Sequence, residues 1–177
     1  MISATIAILI VILLACALAT RSARLREERR ASLPAGKVLY SDTIQGKRPV
    51  ETLVSLRYGL KGRPDYIVET AEGIVPVEIK STIRPSSGRP YDSHLMQMIC
   101  YCFLCEETMK WSVPYGIIRY RNGEVRVEYT SELRSQLPSL LEEMRIARTL
   151  PETHRSHSQA GRCMGCGFRD VCDKALG

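Results

Sequence analysis

The chain opens with an unbroken apolar block. Residues 2–19 (ISATIAILIVILLACALA) carry no charge and only two hydroxyls. Wound as a helix, this block rises about 27 Å, close to the roughly 30 Å of bilayer hydrocarbon, so it predicts one spanning helix. No Lys or Arg precedes it, whereas RSARLREERR at 21–30 holds five Arg and two Glu. Positive charge favours the cytoplasmic side, so the body is expected in the cytoplasm of a single-pass membrane protein. Two cleavage patterns compete with the anchor: Ala17-Leu18-Ala19 looks like a signal-peptidase site, and Leu13-Leu14-Ala15-Cys16 loosely resembles a lipoprotein box. Neither has a basic region before it.

Beyond the arginines the pattern becomes that of a globular α/β body. Leu33-Pro34-Ala35-Gly36 breaks the chain, so 21–36 reads as a juxtamembrane stalk after an anchor at 1–20. An irregular strand follows at 38–40, then Pro49 and a partly extended amphipathic run from Glu51 to Leu60. Strands are predicted at 65–69 and 74–80 with Ala71-Glu72-Gly73 turning between them. A Pro/Ser/Gly loop leads to a largely buried helix from Asp92 or Ser93, either of which can cap it, to about Met109. Arg121-Asn122-Gly123 joins strand-like runs at 115–120 and 125–129, the Asn-Gly pair being a strong hairpin signal. A helical region runs from Ser131 to about Thr149, with Leu133, Leu137, Leu140, Leu141 and Met144 along one face and Pro138 as a kink or break. These elements give a core at 37–150 and a Cys-rich tail at 151–177.

Composition narrows this little. The chain has 177 residues, 45% hydrophobic and 25% charged, which suits one ordinary domain plus an extension and excludes bulk disorder or a multi-span membrane protein. Half of the net charge of +6 sits in the arginine run, so charge alone is weak support for a nucleic-acid partner. Seven cysteines, an odd number with three packed at 100–105, suit a reducing compartment.

The informative stretch is GRPDYIVETAEGIVPVEIK at 62–80. Period two puts Glu78 and Lys80 on one face of a strand and Val77 and Ile79 on the other, and a hairpin folds Asp65 back beside them. The Asp65 and Glu78 carboxylates with the Ile79 carbonyl form an oxygen donor set for Mg²⁺ or Mn²⁺. Lys80 can then orient or deprotonate a water and offset charge on a phosphorane-like transition state, which is phosphodiester hydrolysis. A bare D-x12-E-x-K spacing also occurs as a turn Asp and an exposed edge-strand pair. The following helix adds a second signal: His94, Gln97 and Tyr101 fall on one face of a helix otherwise made of Leu95, Met96, Met98, Ile99, Phe103 and Leu104.

The ordered set Gly62-Arg63-Pro64-Asp65, Glu78-Ile79-Lys80 and Gln97-x3-Tyr101 resembles the RecB-type nuclease domain of the PD-(D/E)xK superfamily, over about residues 50–130. The resemblance implies a restriction-endonuclease-like core, a mixed sheet flanked by helices, with Asp65, Glu78, Lys80, Gln97 and Tyr101 as catalytic residues. It further implies Asp65, Glu78 and Ile79 as ligands of Mg²⁺ or Mn²⁺.

The tail has the C-x2-C-x5-C spacing of a metal or cluster knuckle in Cys163, Cys166 and Cys172. It is similar to the C-terminal tail of the small iron-sulfur exonucleases of CRISPR adaptation (Cas family four) and of related helicase-nuclease domains. There three such cysteines and one upstream cysteine hold a [4Fe-4S] cluster. This chain has no cysteine between Cys16 and Cys100, and the family's helix with a metal-binding His is replaced by the anchor and stalk. His157, with His154 behind it, is the nearest substitute ligand, and Cys105 is the other. His with three Cys is also a zinc set, so iron-sulfur and zinc both stand.

The resemblance implies a metal-dependent DNA nuclease, an exonuclease acting on strand ends, and the apolar block would tether it to the membrane. CRISPR adaptation or DNA repair proteins would be its partners. Arg84, Arg89, Lys61 and Arg63 are candidate DNA contacts, and the juxtamembrane arginines would face anionic lipid. The alternative is a catalytically silent, membrane-tethered DNA-binding or scaffold module with structural zinc.

Overall fold

The structure, a computed structural model, describes residues 2–31, 33–41, 52–152, 155 and 157–177, with the side chains of the first helix described at 6–23. Pro49, Glu51 and His154 of the reading above lie outside the described residues. Two compact units divide between Leu137 and Pro138.

Helix α1 (Ile2–Ala31) runs unbroken through the apolar block and the arginine run, so the stalk expected at 21–36 is helical as far as Ala31. Its window Ile6–Ala23 is the one stretch among the described residues long and apolar enough to cross a membrane, and its side chains are exposed.

The strands are β1 (Lys37–Ser41), β2 (Leu53–Ser55), β3 (Leu60–Gly62), β4 (Tyr66–Thr70), β5 (Gly73–Ile79), β6 (Tyr115–Tyr120) and β7 (Gly123–Glu128). Five form a mixed sheet in the order β1-β4-β5-β6-β7, in which only β5 and β6 run parallel. The partly extended run before Leu60 resolves into a separate β2–β3 hairpin. A parallel pair needs a crossover, and helix α2 (Asp92–Met109) supplies it, packing on β5, β6 and the β2–β3 hairpin. The architecture is therefore the mixed α/β core expected, a mixed sheet flanked by helices.

Alternation sorts β5 onto two faces. Val75 and Val77 join Tyr66, Val68, Tyr115 and Ile117 in a buried cluster, with Leu33, Val38 and Ile79 against it. Glu78 and Lys80 fall on the opposite, α2 side. There Gly116 of β6 leaves room for Met98 and Cys102 of α2, because a Cβ at 116 would strike the Met98 sulfur. Pro76 occupies the middle of a central strand, a position that normally needs its N–H. It is tolerated because the pairing with β6 starts one residue later, at Val77.

Helix α2 departs from expectation at its start. Neither Asp92 nor Ser93 caps it: the N-cap is Tyr91, with no side-chain hydrogen bond, and Asp92 sits in the first turn, where a carboxylate favours the helix dipole. Helix α3 (Ser131–Ala147) passes through Pro138 without a break, and of its expected apolar stripe only Leu137 is buried, with Met144 exposed. Its first turn is tied to the end of α2: Arg134 donates to both carboxylate oxygens of Glu106, at 3.1 and 3.0 Å, and to the Val113 carbonyl.

The second unit holds the rest of α3, helix α4 (Ala160–Met164) and one 3₁₀ turn at Arg169–Val171. Its apolar side chains Met164, Phe168 and Val171 are exposed.

Candidate active site

Asp65 is placed by the residues on either side of it. Pro64 is fully buried and Tyr66 nearly so, which pins the carboxylate at the start of β4. Its Oδ2 accepts the Ile79 N–H at 2.6 Å, a bond that spans fourteen residues and brings the first carboxylate to the peptide following Glu78. Glu78 and Lys80, both mostly buried, form an ion pair at 2.9 Å through Glu78 Oε1. Lys80 is held from the main chain too, its N–H donating to the Arg119 carbonyl at 2.7 Å.

The polar stripe of α2 completes the arrangement. Lys80 Nζ donates to Gln97 Oε1 at 2.6 Å, and Gln97 Nε2 donates to Glu78 Oε1 at 3.1 Å and to the Tyr101 hydroxyl at 2.8 Å. Tyr101 lies against β3 because residue 62 is glycine: a Cβ there would sit 2.9 Å from the Tyr101 ring and from Leu104. All five expected catalytic residues are thus brought together.

The electrostatics fit a cation site. Burial raises the Glu78 carboxyl above its ordinary value; hydrogen bonding from Lys80 opposes this, and the nearby Asp65 charge adds to it. Burial and the neighbouring Asp65 charge disfavour ionisation of Glu78, and a divalent cation relieves that. Among the described residues no three His, Cys, Asp or Glu side chains converge, so the available donor set is two carboxylates and a backbone carbonyl. This hard-oxygen set fits Mg²⁺ or Mn²⁺ with positions left for water and phosphate.

His94 does not join the Gln97–Tyr101 network but shares a 3.0 Å hydrogen bond with the Tyr120 hydroxyl. Burial, and then the Lys80 charge, lower its pKa and disfavour its protonated form. Tyr120 and Tyr91, which packs edge-on against both His94 and Tyr120, are absent from the sequence reading. The available signal was register: Ile79 pairs with Arg119, so the next residue of β6 ends level with Lys80.

Of the expected DNA contacts, Lys61, Arg63 and Arg89 are exposed. Arg84 instead turns to the β6–β7 turn, its N–H donating to Asn122 Oδ1 at 2.7 Å and its guanidinium to the Glu124 carbonyl at 3.4 Å.

In the tail, Cys163 is buried and its sulfur accepts the Leu176 N–H at 3.4 Å, while Cys166 and Cys172 are exposed. The Cys166 N–H donates to the Cys163 carbonyl at 3.1 Å, the tight turn a C-x2-C pair uses. His157 accepts the Gln159 N–H at its Nδ1. The donors suit a soft metal or cluster in type, but the described residues do not close on one point. Cys105 is fully buried within the first unit, which pushes its thiol up to about 12, so it is an uncharged core residue there.

No curated protein matches the chain. Among solved structures, the crystal structure of SSO0001 shares 24% identity with a TM-score of 0.46, over 66% of this chain and 52% of that one, so this chain spans about half of its length. A family model for the PD-(D/E)XK nuclease superfamily matches residues 11–173. That superfamily consists generally of nucleases, which typically use Mg²⁺ or Mn²⁺, and the chain belongs to it.

Proposed function

We propose that the protein is a membrane-tethered, divalent-metal-dependent deoxyribonuclease that acts on DNA ends. The network joining Glu78, Lys80, Gln97 and Tyr101, with Asp65 locked to the Ile79 amide beside it, carries the proposal. A catalytically silent module has no need to bury an ion pair and then satisfy it with a helix glutamine.

Asp65, Glu78 and the Ile79 carbonyl are the assigned ligands of Mg²⁺ or Mn²⁺, which supplies Lewis acidity at the scissile phosphate and acidifies water. Lys80 is assigned to the attacking water and to the charge that builds on the phosphorane. Its ammonium is already oriented by Glu78 and Gln97, so little reorganisation is needed at the moment of reaction. Gln97 spans Lys80, Glu78 and Tyr101 and holds their spacing, and Tyr101 fixes the amide.

The apolar block would hold this domain at the cytoplasmic face, with 1–20 as anchor, 21–36 as stalk, 37–150 as nuclease core and 151–177 as tail. In the tail Cys163, Cys166 and Cys172, with His157 as fourth ligand, are assigned to an iron-sulfur cluster or, with the same set, to zinc. The C-x2-C-x5-C spacing and the N–H···S bond at Cys163 support this assignment, and no step of the hydrolysis depends on it.

The test is digestion of end-labelled DNA by the full chain in detergent. Loss of label that requires Mn²⁺ or Mg²⁺ is expected. Intact DNA with both metals, from protein that binds them, would favour the silent module.

A further inference from the structure

The β2–β3 hairpin has two unlike faces. Residues of one parity turn toward α2: Ser55 is buried, and Gly62 meets Leu104 and Tyr101. The opposite parity is exposed, with Val54 paired to Lys61 across the hairpin and Arg63 two residues on. At the tip Leu56 is 91% exposed, in a turn tied back by the Gly59 N–H to the Leu56 carbonyl at 3.3 Å. The tip is anchored: the Tyr58 ring packs edge-on against Phe103 of α2 at 4.9 Å, and the Arg57 guanidinium lies over Tyr58 at 5.2 Å.

No Asp or Glu occurs from Thr52 to Pro64. Arg57, Lys61 and Arg63 are all exposed, and no carboxylate pairs with any of them among the described residues. They lead toward the site, since Lys61 is four residues before Asp65. That is at most about 14 Å of chain, some four base-pair rises. A cation row of this kind, beside two carboxylates that repel phosphate, is suited to guiding a polyanion into the corner.

An exposed leucine alone is ordinary. One that stands at a pinned tip, beside Val54 and three cations that no described carboxylate pairs, matches a duplex end. Base faces are covered inside a continuous duplex and open only at an end or an unstacked step, where apolar side chains insert. We propose that the β2–β3 hairpin receives the end of a DNA duplex, with Leu56 against the terminal base pair and Arg57, Lys61 and Arg63 on the phosphates leading to Asp65 and Glu78. This rests on the nuclease reading for its substrate. An anionic membrane surface would also attract such a hairpin, but docking there would cover the approach to the corner.

The experiment uses the full chain in detergent micelles with EDTA, so that binding is read without cleavage. The probe is a fluorescent blunt duplex, competed with a covalently closed circular duplex that has no ends. Leu56→Ser is expected to weaken binding to the blunt duplex by about tenfold while leaving competition by the circle unchanged. The Arg57→Ser/Lys61→Ser/Arg63→Ser variant is expected to weaken both and to flatten the salt dependence by about three counterions. All these side chains are exposed, and an unchanged circular dichroism spectrum and melting curve confirm folding. Wild-type preference for ends that survives in Leu56→Ser would overturn the proposal, as would wild-type protein that binds neither probe. So would variants that lose only binding to phosphatidylserine vesicles. Expected binding changes in a protein that cuts no DNA with Mn²⁺ would retain the hairpin assignment and overturn the nuclease reading instead.

Discussion

At the end of β5, residues from three elements, up to 36 positions apart in sequence, are joined by hydrogen bonds of 2.6 to 3.1 Å. In the tail, three cysteines within ten positions remain apart, one buried and two exposed. The difference lies in what holds the elements. β4, β5 and α2 bury Ile67, Val68, Val75, Val77, Met98 and Leu104, so hydrophobic burial fixes the backbone first and the polar groups are placed by it. The tail has a five-residue helix and a 3₁₀ turn, with Met164, Phe168 and Val171 in water. On the proposed assignment, a bound metal supplies the folding free energy that so little burial does not. The corner is preorganised by the fold; the tail, on this account, is organised by its ligand.

The largest effects are expected at the corner. Asp65→Ala or Glu78→Ala should abolish Mn²⁺ binding and lower DNA cleavage by about a thousandfold or more, because each removes half of the carboxylate set. Calorimetry and digestion of labelled DNA check both, and a normal melting curve separates chemistry from unfolding.

The tail should behave in the opposite way. Cys163→Ser, Cys166→Ser or Cys172→Ser should release iron or zinc and open the segment after Pro151 to protease, while Mn²⁺ affinity at the corner stays at the wild-type value. His157→Ala should do the same only if His157 is the fourth ligand. Metal analysis of anaerobically prepared protein decides. Wild-type protein free of iron and zinc would remove the cofactor and with it the contrast drawn here.

Smaller effects grade the support around the corner. Gln97→Ala and Tyr101→Ala should each cost about ten- to a hundredfold in activity, since they hold other groups in place. Gly62→Ala should destabilise by about 1–3 kcal/mol by pushing Tyr101 and Leu104 away, read as a lowered Tm.

Glu78 adds a pH signature. Its folded-state pKa lies above the ordinary 4.5, chiefly through burial. In metal-free protein its contribution to stability is therefore fully present below the unfolded value and is lost as pH rises through the folded one. Mn²⁺ competes with that proton. Affinity should climb with pH across the same window above 4.5 and then level off, read by calorimetry on the wild-type protein.

Much of the corner was legible in the sequence, because strand parity and helix spacing are local rules. Parity alone places Glu78 with Lys80, and the i, i+4 relation alone places Gln97 with Tyr101. Their meeting depends on the β5–α2–β6 crossover, and the family resemblance pointed to it before the geometry did. Tyr120 escaped because its place beside His94 follows from the β5–β6 register, which spacing does not encode. The cap of α2 escaped because Asp92 satisfies the helix dipole from inside the first turn instead of capping it. The helix continues through the arginine run because those residues are good helix formers, and nothing before Leu33-Pro34 stops it. Along α3 only Leu137 of the apolar stripe is buried, because such a stripe shows which face is able to pack, not that a partner covers it.

The most direct test of the central claim is Lys80→Ala, measured for Mn²⁺ binding by calorimetry and for cleavage of labelled DNA in the same preparation. The proposed division of labour gives the metal to Asp65 and Glu78 and the water to Lys80. It predicts Mn²⁺ affinity within about threefold of wild type and cleavage lowered by roughly a hundred- to a thousandfold. Wild-type cleavage by the Lys80→Ala protein would contradict it.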